Sequence, residues 1–263
     1  MLPKEDILRR AENKEALSRI IDRAEQAIRT WEPLATDFLS PPELFEAQAI
    51  FSQLSDVHMI ASGGYPQAER QRLVVARSEV PFEEVAGESL VPLAALSIAG
   101  NFLFDTASHR DFLGSLLGTG IVRDKVGDII VLGERGAQAI VVPELVDFLT
   151  DSLVQVRSVP VKTQPIGLSE LRVREPKKKE MTTVEASMRL DAIASAGFGM
   201  SRSKMADMIT HGDVRVNWKP ITQSSRSVET GDLIAIRGKG RLEVGDVVVT
   251  KKQRYRVQLT RLV

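Results

Sequence analysis

The 263-residue sequence contains no cysteine. Disulfide bonds, thiolate metal sites and cysteine nucleophiles are therefore excluded, and the composition fits a reducing cytosol, so we expect a cytoplasmic protein. Histidine is also scarce: the sequence has only His58, His109 and His211. These three lie far apart and show no metal-ligand spacing. These two shortages lead us to expect no metal ion and no other cofactor.

The sequence also lacks an uninterrupted apolar run that is long enough to cross a bilayer. Its first residues, Met1–Asp6, already include charged and acidic side chains, unlike a signal or transit peptide. We therefore expect no membrane span.

The formal net charge of zero hides a strong asymmetry between the two parts of the chain. Residues 1–150 carry 14 Lys and Arg against 23 Asp and Glu, whereas residues 151–263 carry 21 against 12. Because positive charge attracts polyanions, the C-terminal part is predicted to be the part that attracts a polyanion. The acidic N-terminal part leaves a protein partner open.

The pattern of apolar and turn residues predicts an α+β protein. Lys4–Trp31 has the apolar stripe of one amphipathic helix, Glu43–Leu54 is a second helix, and Val57–Ser62 is a strand. Four regions follow from these patterns: a helical region with short strands (1–80), a central domain (81–166), a basic linker (167–180) and a C-terminal domain (181–263).

The central domain shows the element order β-α-β-β-α-β of the ferredoxin-like, split βαβ plan, which is also that of the RNA-recognition (RRM-like) fold. The last strand is expected at Val154–Val161. The inner strands Asp128–Leu132 and Ala137–Val142 contain no aromatic residue, so we expect no base stacking on this sheet.

Three cations of this domain, Arg110, Arg123 and Lys125, leave open a contact between the central domain and RNA. Aspartates lie next to each of them in the sequence, which favours local ion pairing instead. The following linker is basic and contains Pro176, so it is expected to be extended and mobile.

The stretch Met188–Asn217 predicts two short helices, a turn and a strand. Ser201 is placed to cap the second helix, and Arg202 and Lys204 fall in its first turn. The free N–H groups of such a helix end attract phosphate, whereas cations there do not favour the helix itself. Their placement indicates a ligand rather than fold stability, with a solvated basic helix start as the alternative.

Several motifs of this stretch resemble the S4 RNA-binding domain. They are Arg189-Leu190-Asp191, Ser201-Arg202-Ser203-Lys204, His211–Asn217 and, further on, Gly-Asp-Leu-Ile at 231–234. Gly63-Gly64-Tyr65 and the loop 118–128 are in turn similar to YlmH-type S4 proteins, whose cyanobacterial and plastid members are called photosystem II S4 domain proteins.

The resemblance implies a C-terminal S4 domain of the αL type, here followed by a closing β-hairpin that adds positive charge. It also implies binding of structured RNA, either rRNA or tRNA, on the ribosome, with a role in translation quality control. Trp218 is expected to cap the domain core rather than to stack on a base. The candidate RNA-binding residues are Arg189, Ser201, Arg202, Ser203, Lys204, His211, Arg215, Asn217, Lys219, Ser224, Arg226, Lys239 and Arg241.

No phosphate-binding P-loop and no Ser/His/Asp constellation stand out, so we expect no enzyme activity. Arg189-Leu190-Asp191 resembles the aspartate motif of pseudouridine synthases, but it lies within the S4-like helix. Asp191 is therefore expected to pair with a nearby cation or to cap the helix. The alternatives are a protein-interaction adaptor, for example in photosystem II biogenesis, or an accessory of an RNA-modifying enzyme.

Overall fold

A computed structural model describes residues 2–80, 90–173 and 177–262. The chain divides into two compact units, which we call unit 1 (Met1–Val173) and unit 2 (Arg174–Val263). Helices and antiparallel sheets occur in both units, so the expected α+β class is confirmed. No helix among the described residues is long and apolar enough to span a membrane.

The first part of unit 1, residues 2–80, packs helices on a three-stranded antiparallel sheet of order β1-β3-β2. The apolar stripe expected in the N-terminal helix is buried against this sheet, as Leu17, Ile20 and Ile21 show. The elements are α1 (Lys4–Arg10), α2 (Lys14–Thr30), β1 (Leu34–Leu39), α3 (Pro41–Phe51), β2 (Val57–Ser62) and β3 (Gln71–Arg77).

The single helix expected over Lys4–Trp31 is wrong, because the chain breaks between α1 and α2. The carboxylate of Glu46 in α3 accepts hydrogen bonds from the backbone N–H groups of Glu12 (2.7 Å) and Asn13 (2.9 Å). A continuous helix would pair these N–H groups internally. Their capture by a residue far along the chain ends one helix and starts the next.

The second part of unit 1, residues 90–173, contains a four-stranded antiparallel sheet of order β5-β6-β4-β9. Together with its two helices this is the ferredoxin-like arrangement, so that expectation is confirmed. The elements are β4 (Ala94–Ala99), α4 (His109–Gly118), β5 (Val126–Val131), β6 (Gly136–Val141), α5 (Val146–Ser152), β7 (Gln155–Val156), β8 (Val159–Pro160) and β9 (Lys162–Ile166).

The expected last strand, Val154–Val161, is wrong. This segment forms the small β7–β8 hairpin, and β9 supplies the fourth strand of the sheet. Arg157 adopts a positive φ of 54° at the turn and pairs with Asp105 at 2.8 Å. The hydroxyl of Ser158 donates to the same carboxylate at 2.5 Å. The chain therefore reverses here before it enters the sheet.

Residues from elsewhere in unit 1 cover the face of this sheet that points away from its helices. Ile140 of β6 packs in a small apolar cluster with Phe38 and Tyr65. Beside it, the Gln138 side-chain amide donates to the carbonyl of Glu170 (3.0 Å) and accepts from the backbone N–H of Arg172 (2.7 Å). At β6 this leaves no open surface on which bases could stack.

The structure departs from the expected linker, 167–180, at both ends. Leu168–Glu170 forms a 3-10 turn that is held against β6, and Lys178–Glu180 already belongs to a strand. Residues 174–176 lie outside the described residues.

Unit 2 places two helices on one face of a six-stranded antiparallel sheet of order β10-β15-β14-β13-β11-β12. Leu190, Ile193 and Met205 of the helices are fully buried against strand residues such as Val214 and Leu242. The elements are β10 (Lys178–Glu185), α6 (Leu190–Phe198), α7 (Arg202–Thr210), β11 (Val214–Val216), β12 (Lys219–Pro220), β13 (Leu233–Ile236), β14 (Gly240–Val249) and β15 (Tyr255–Leu262).

Candidate RNA-binding site

A single carboxylate at the start of α6 holds two of the predicted arginines. Asp191 accepts two hydrogen bonds from Arg189, at 3.1 and 2.9 Å, and one from Arg202 at 3.0 Å. Only 6% of the Asp191 side chain is exposed, whereas Arg189 and Arg202 remain 40% and 54% exposed. The expectation that Asp191 pairs with a nearby cation is confirmed, and the two guanidinium groups lie side by side at the surface.

The charges of this cluster stabilise one another. Burial raises the pKa of the Asp191 carboxyl, but hydrogen bonds from Arg189 and Arg202 outweigh burial and hold its pKa below the usual value. The hydrogen bond with Asp191 in turn raises the pKa of Arg189. One negative charge therefore faces two permanent positive charges, and the cluster keeps a net positive charge near neutral pH.

The start of α7 lies beside this cluster and has the features of an anion site. Ser201 is the N-cap, and its hydroxyl accepts from the backbone N–H of Lys204 at 3.4 Å. Among the described residues, the backbone N–H groups of Arg202 and Ser203 have no protein partner. Lys204 is exposed and forms no ion pair with a described carboxylate. Free N–H groups and a free ammonium group thus meet at one helix end.

The loop that contains Ser224 and Arg226 closes over the start of α6 through its backbone. The carbonyls of these residues accept from the N–H groups of Asp191 (3.2 Å) and Leu190 (2.8 Å). This pairing satisfies N–H groups of the α6 N-terminus. It also places the backbone of Arg226, whose side chain is exposed, beside that of Arg189.

A second group of predicted residues lies on the sheet face that points away from the helices. Arg215 and Arg241 are both cross-strand neighbours of Ala235, so they share this face. The Arg241 guanidinium stacks over the Trp218 ring, 5.1 Å from its centre. Trp218 is half-buried and lies outside the core cluster of unit 2, so the expectation that it caps the core is wrong. Lys219 follows it in β12 and is exposed.

Three other predicted residues lie apart from both groups. His211 ends α7, roughly 15 Å along the helix axis from Ser201, and its ring pairs with the Asp207 carbonyl at 2.7 Å. The Asn217 side chain donates to Asp232 at 2.7 Å and accepts from the N–H of Leu233 at 2.9 Å, which stabilises a turn. Lys239 lies near the other end of α6, where its carbonyl accepts from Arg261.

Arg110, Arg123 and Lys125, the cations of the central domain for which an RNA contact was left open, differ in their surroundings. Lys125 pairs with Asp37 of β1 at 2.6 Å, and Arg123 donates to the carbonyls of Val126 and Gly127. Burial lowers the pKa of Arg123 to about 10. These two therefore hold unit 1 together, with partners other than the neighbouring aspartates, whereas Arg110 stays exposed.

The predicted set leaves out the cations of the β14–β15 hairpin, although Lys251-Lys252-Gln253-Arg254 is visible in the sequence as a basic turn. Their position beside β10 follows only from the strand register. Among the described residues, no group of three or more His, Asp or Glu side chains is arranged to hold a metal ion.

Three family models match the chain, in the order of its folded parts. The model described as YlmH, N-terminal, matches residues 12–80, and the model of a putative RNA-binding domain in YlmH matches residues 92–170. The S4 domain model matches residues 188–234. The candidate residues from Arg189 to Arg226 lie within this last match.

Individual proteins show the same similarity. Ribosome-associated protein quality control protein P2 of Bacillus subtilis (strain 168) is 35% identical over 227 residues, which cover 86% of this chain and 86% of that protein. Small ribosomal subunit protein uS4A of Clostridium novyi (strain NT) is 42% identical over 55 residues, 20% of this chain and 27% of that protein.

A solved structure, cell division protein ylmH from Streptococcus pneumoniae, resembles part of the fold. The TM-score is 0.51 at 19% identity, and the match covers 62% of this chain and 95% of that chain. At this identity the likeness concerns the fold alone.

Proposed function

Because the chain belongs to the YlmH family, we propose that it binds structured RNA on the ribosome, rRNA or tRNA, and catalyses no reaction. The observation that carries the proposal is the start of α7, where Arg202 and Lys204 accompany free backbone N–H groups and Arg202 shares the Asp191 carboxylate with Arg189. The ribosome-associated relative, which spans 86% of this chain, supports the choice of partner.

The geometry suits a phosphate of the RNA backbone. The N–H groups of Arg202 and Ser203 would donate to its oxygens, and the Lys204 ammonium group would balance its charge. The guanidinium groups of Arg189 and Arg202 present further donors to the same or the next phosphate. Such contacts grip A-form RNA by its backbone and 2′-hydroxyls without reading its sequence.

Asp191 prepares the two arginines for this task. Ordering a long side chain on binding costs about 0.5–1.5 kcal/mol. The bonds to Asp191 fix Arg189 and Arg202 before the RNA arrives, so part of this cost falls on folding instead. The arrangement also makes Arg202 unlike Lys204, because only Arg202 has a protein partner as well as a proposed RNA partner.

The test is the salt dependence of RNA binding by the full-length protein. If about five phosphates are neutralised, the logarithm of the association constant should fall against the logarithm of salt concentration with a slope of roughly −3.5 to −4.5. Lys204→Gln should make the slope less steep by about 0.7–0.9 and should not lower the unfolding free energy. Arg29→Gln is the matched control, since Arg29 is exposed on α2 and has no described ion pair.

Salt-independent binding, or a Lys204→Gln protein that binds like the wild type, would contradict the proposed site. The adaptor alternative makes a different prediction, because its contacts would be with protein through the acidic N-terminal part. Copurification with and without ribonuclease separates the two. A ribosomal complex that survives digestion supports the adaptor, including one in photosystem II biogenesis. Crosslinking with sequencing of the bound RNA would distinguish rRNA from tRNA.

A further inference from the structure

The end of the β14–β15 hairpin forms a further exposed surface of unit 2, outside residues 188–234 of the S4 match. Strand register places Val184 of β10 and Val248 of β14 on either side of Arg256 of β15. The two valines are 44% and 57% exposed. Together with the turn that follows β14 they line an open groove.

The charge of this groove has one sign. Its lining includes Lys251, Lys252, Arg254 and Arg256 and no carboxylate. All four cations are exposed, and none forms an ion pair with a described residue. In the cluster of Asp191, Arg189 and Arg202, by contrast, the carboxylate neutralises one of the two arginine charges.

The turn that carries these cations is a defined structure. The N–H of Thr250 donates to the carbonyl of Arg254 at 2.7 Å, and the Thr250 hydroxyl accepts from the N–H of Arg254 at 3.1 Å. Gln253 completes the turn with a φ of 54°. The cations therefore project from a fixed backbone, so less of their freedom is lost when they bind a ligand.

The hairpin end and the Arg189–Arg202 cluster lie at the same end of unit 2. Glu185, the last residue of β10, pairs with Tyr255 at the base of the hairpin turn. Arg189 follows only four residues later, a span of at most about 14 Å of extended chain. An RNA that contacts the Arg189–Arg202 cluster can therefore also reach the hairpin turn.

We propose that the hairpin end is a second RNA-binding surface, at which Lys251, Lys252, Arg254 and Arg256 bind further phosphates of the same RNA. Val184 and Val248 then contact the ribose edges between them. This inference rests on the proposed function. An RNA fits better than a protein, because a few valines offer far less than the roughly 800 Å² that each partner buries in a stable protein interface.

The experiment uses the full-length protein and an RNA stem-loop of about 16 base pairs, the length that a double-stranded RNA-binding domain spans. Lys251→Gln with Lys252→Gln should lower the affinity roughly 10- to 50-fold at 0.1 M salt and reduce the salt slope by about 1.4–1.8. The melting temperature should stay the same, because both side chains are exposed and have no described ion pair. Lys14→Gln with Arg29→Gln removes the same charge from exposed positions of unit 1 and should change neither quantity.

Val184→Ser with Val248→Ser tests the apolar part separately. It should weaken binding at every salt concentration without changing the slope, since no charge is altered. Wild-type affinity and slope in the Lys251, Lys252 variant would overturn the second surface and leave the proposed function intact. Failure of the wild type to bind the stem-loop would overturn both. If the wild type copurifies with a complex that resists ribonuclease and the hairpin variants lose that complex, the hairpin end binds a protein. That result would overturn RNA as its ligand.

Discussion

Asp191 shows how one residue can serve both folding and binding. Its carboxylate is almost completely buried, yet it accepts three hydrogen bonds from two arginines that reach the surface. Charge-assisted bonds of this kind are stronger than neutral ones, although exposure of the arginines to solvent screens part of their strength. Arg202 therefore contributes to stability as well as to the proposed site, contrary to the expectation that it serves a ligand alone.

Asp191→Asn should lower the unfolding free energy by about 1–2 kcal/mol at pH 6. The pKa of Asp191 is lowered in the folded protein, so its contribution is present above the ordinary aspartate pKa of about 3.9 and disappears as the pH falls through the folded-state pKa. The difference between variant and wild type should therefore shrink towards pH 3. Urea unfolding at both pH values measures it.

The control for this prediction is Asp207→Asn on α7, where the side chain is exposed and has no described ion pair. It should change the stability little at either pH. An equal loss in both variants, or a difference between Asp191→Asn and wild type that grows in acid, would contradict the assigned role of Asp191.

Among the elements, α6 packs closely against the sheet of unit 2, and a glycine makes this approach possible. A Cβ atom at Gly197 would lie 2.1 Å from Cδ2 of Leu242 in β14. Leu242 is fully buried within the core cluster of unit 2, so its side chain cannot turn out into solvent. The position of α6, and with it that of Asp191 at its start, depends on this contact.

Gly197→Ala should therefore lower the unfolding free energy by about 1–3 kcal/mol, as overpacking of a filled core does. Gly114→Ala in α4 is the matched control, because nothing lies within 4 Å of the added Cβ there. That change should instead stabilise the protein by about 0.5–1 kcal/mol, since it restricts the unfolded chain. Urea unfolding measures both, and effects of the same sign would contradict the packing at Gly197.

At the scale of the whole molecule, the chain separates an acidic N-terminal part from a basic C-terminal part. The core cluster of unit 2 draws only on residues of that unit, and its described sheet is built entirely from strands between Lys178 and Leu262. Both groups of candidate RNA-binding residues and the hairpin cations belong to unit 2.

Residues 174–263 produced alone should therefore fold, with a single cooperative thermal transition by circular dichroism, because their apolar core is complete. This fragment should bind the RNA stem-loop with a salt slope close to that of the full-length protein. Absence of a cooperative transition, or an affinity more than tenfold weaker than that of the full chain, would show that unit 1 takes part in the function of unit 2.

Features that arise from neighbouring residues could be predicted from the sequence. Ser201 with the first turn of α7 and the six-element order of the central domain depend on capping and periodicity within short stretches. The S4-like motifs and the charge asymmetry are likewise properties of the sequence itself. The sequence also predicts that Asp191 pairs with a nearby cation, and Arg189 lies two residues away, whereas the pairing with Arg202 follows from the structure.

Tertiary structure alone decided the features whose partners are distant in the chain. Glu46 separates α1 from α2 although it lies more than thirty residues further along the chain. Phe38 covers a sheet whose first strand in the sequence begins at Ala94. Trp218 lies against Arg241, and the basic turn at 251–254 lies near Arg189 only because β10 pairs with β15. Sequence patterns report which face of an element is apolar, but which side chains meet is settled by packing between elements, where long-range contacts outweigh local preference.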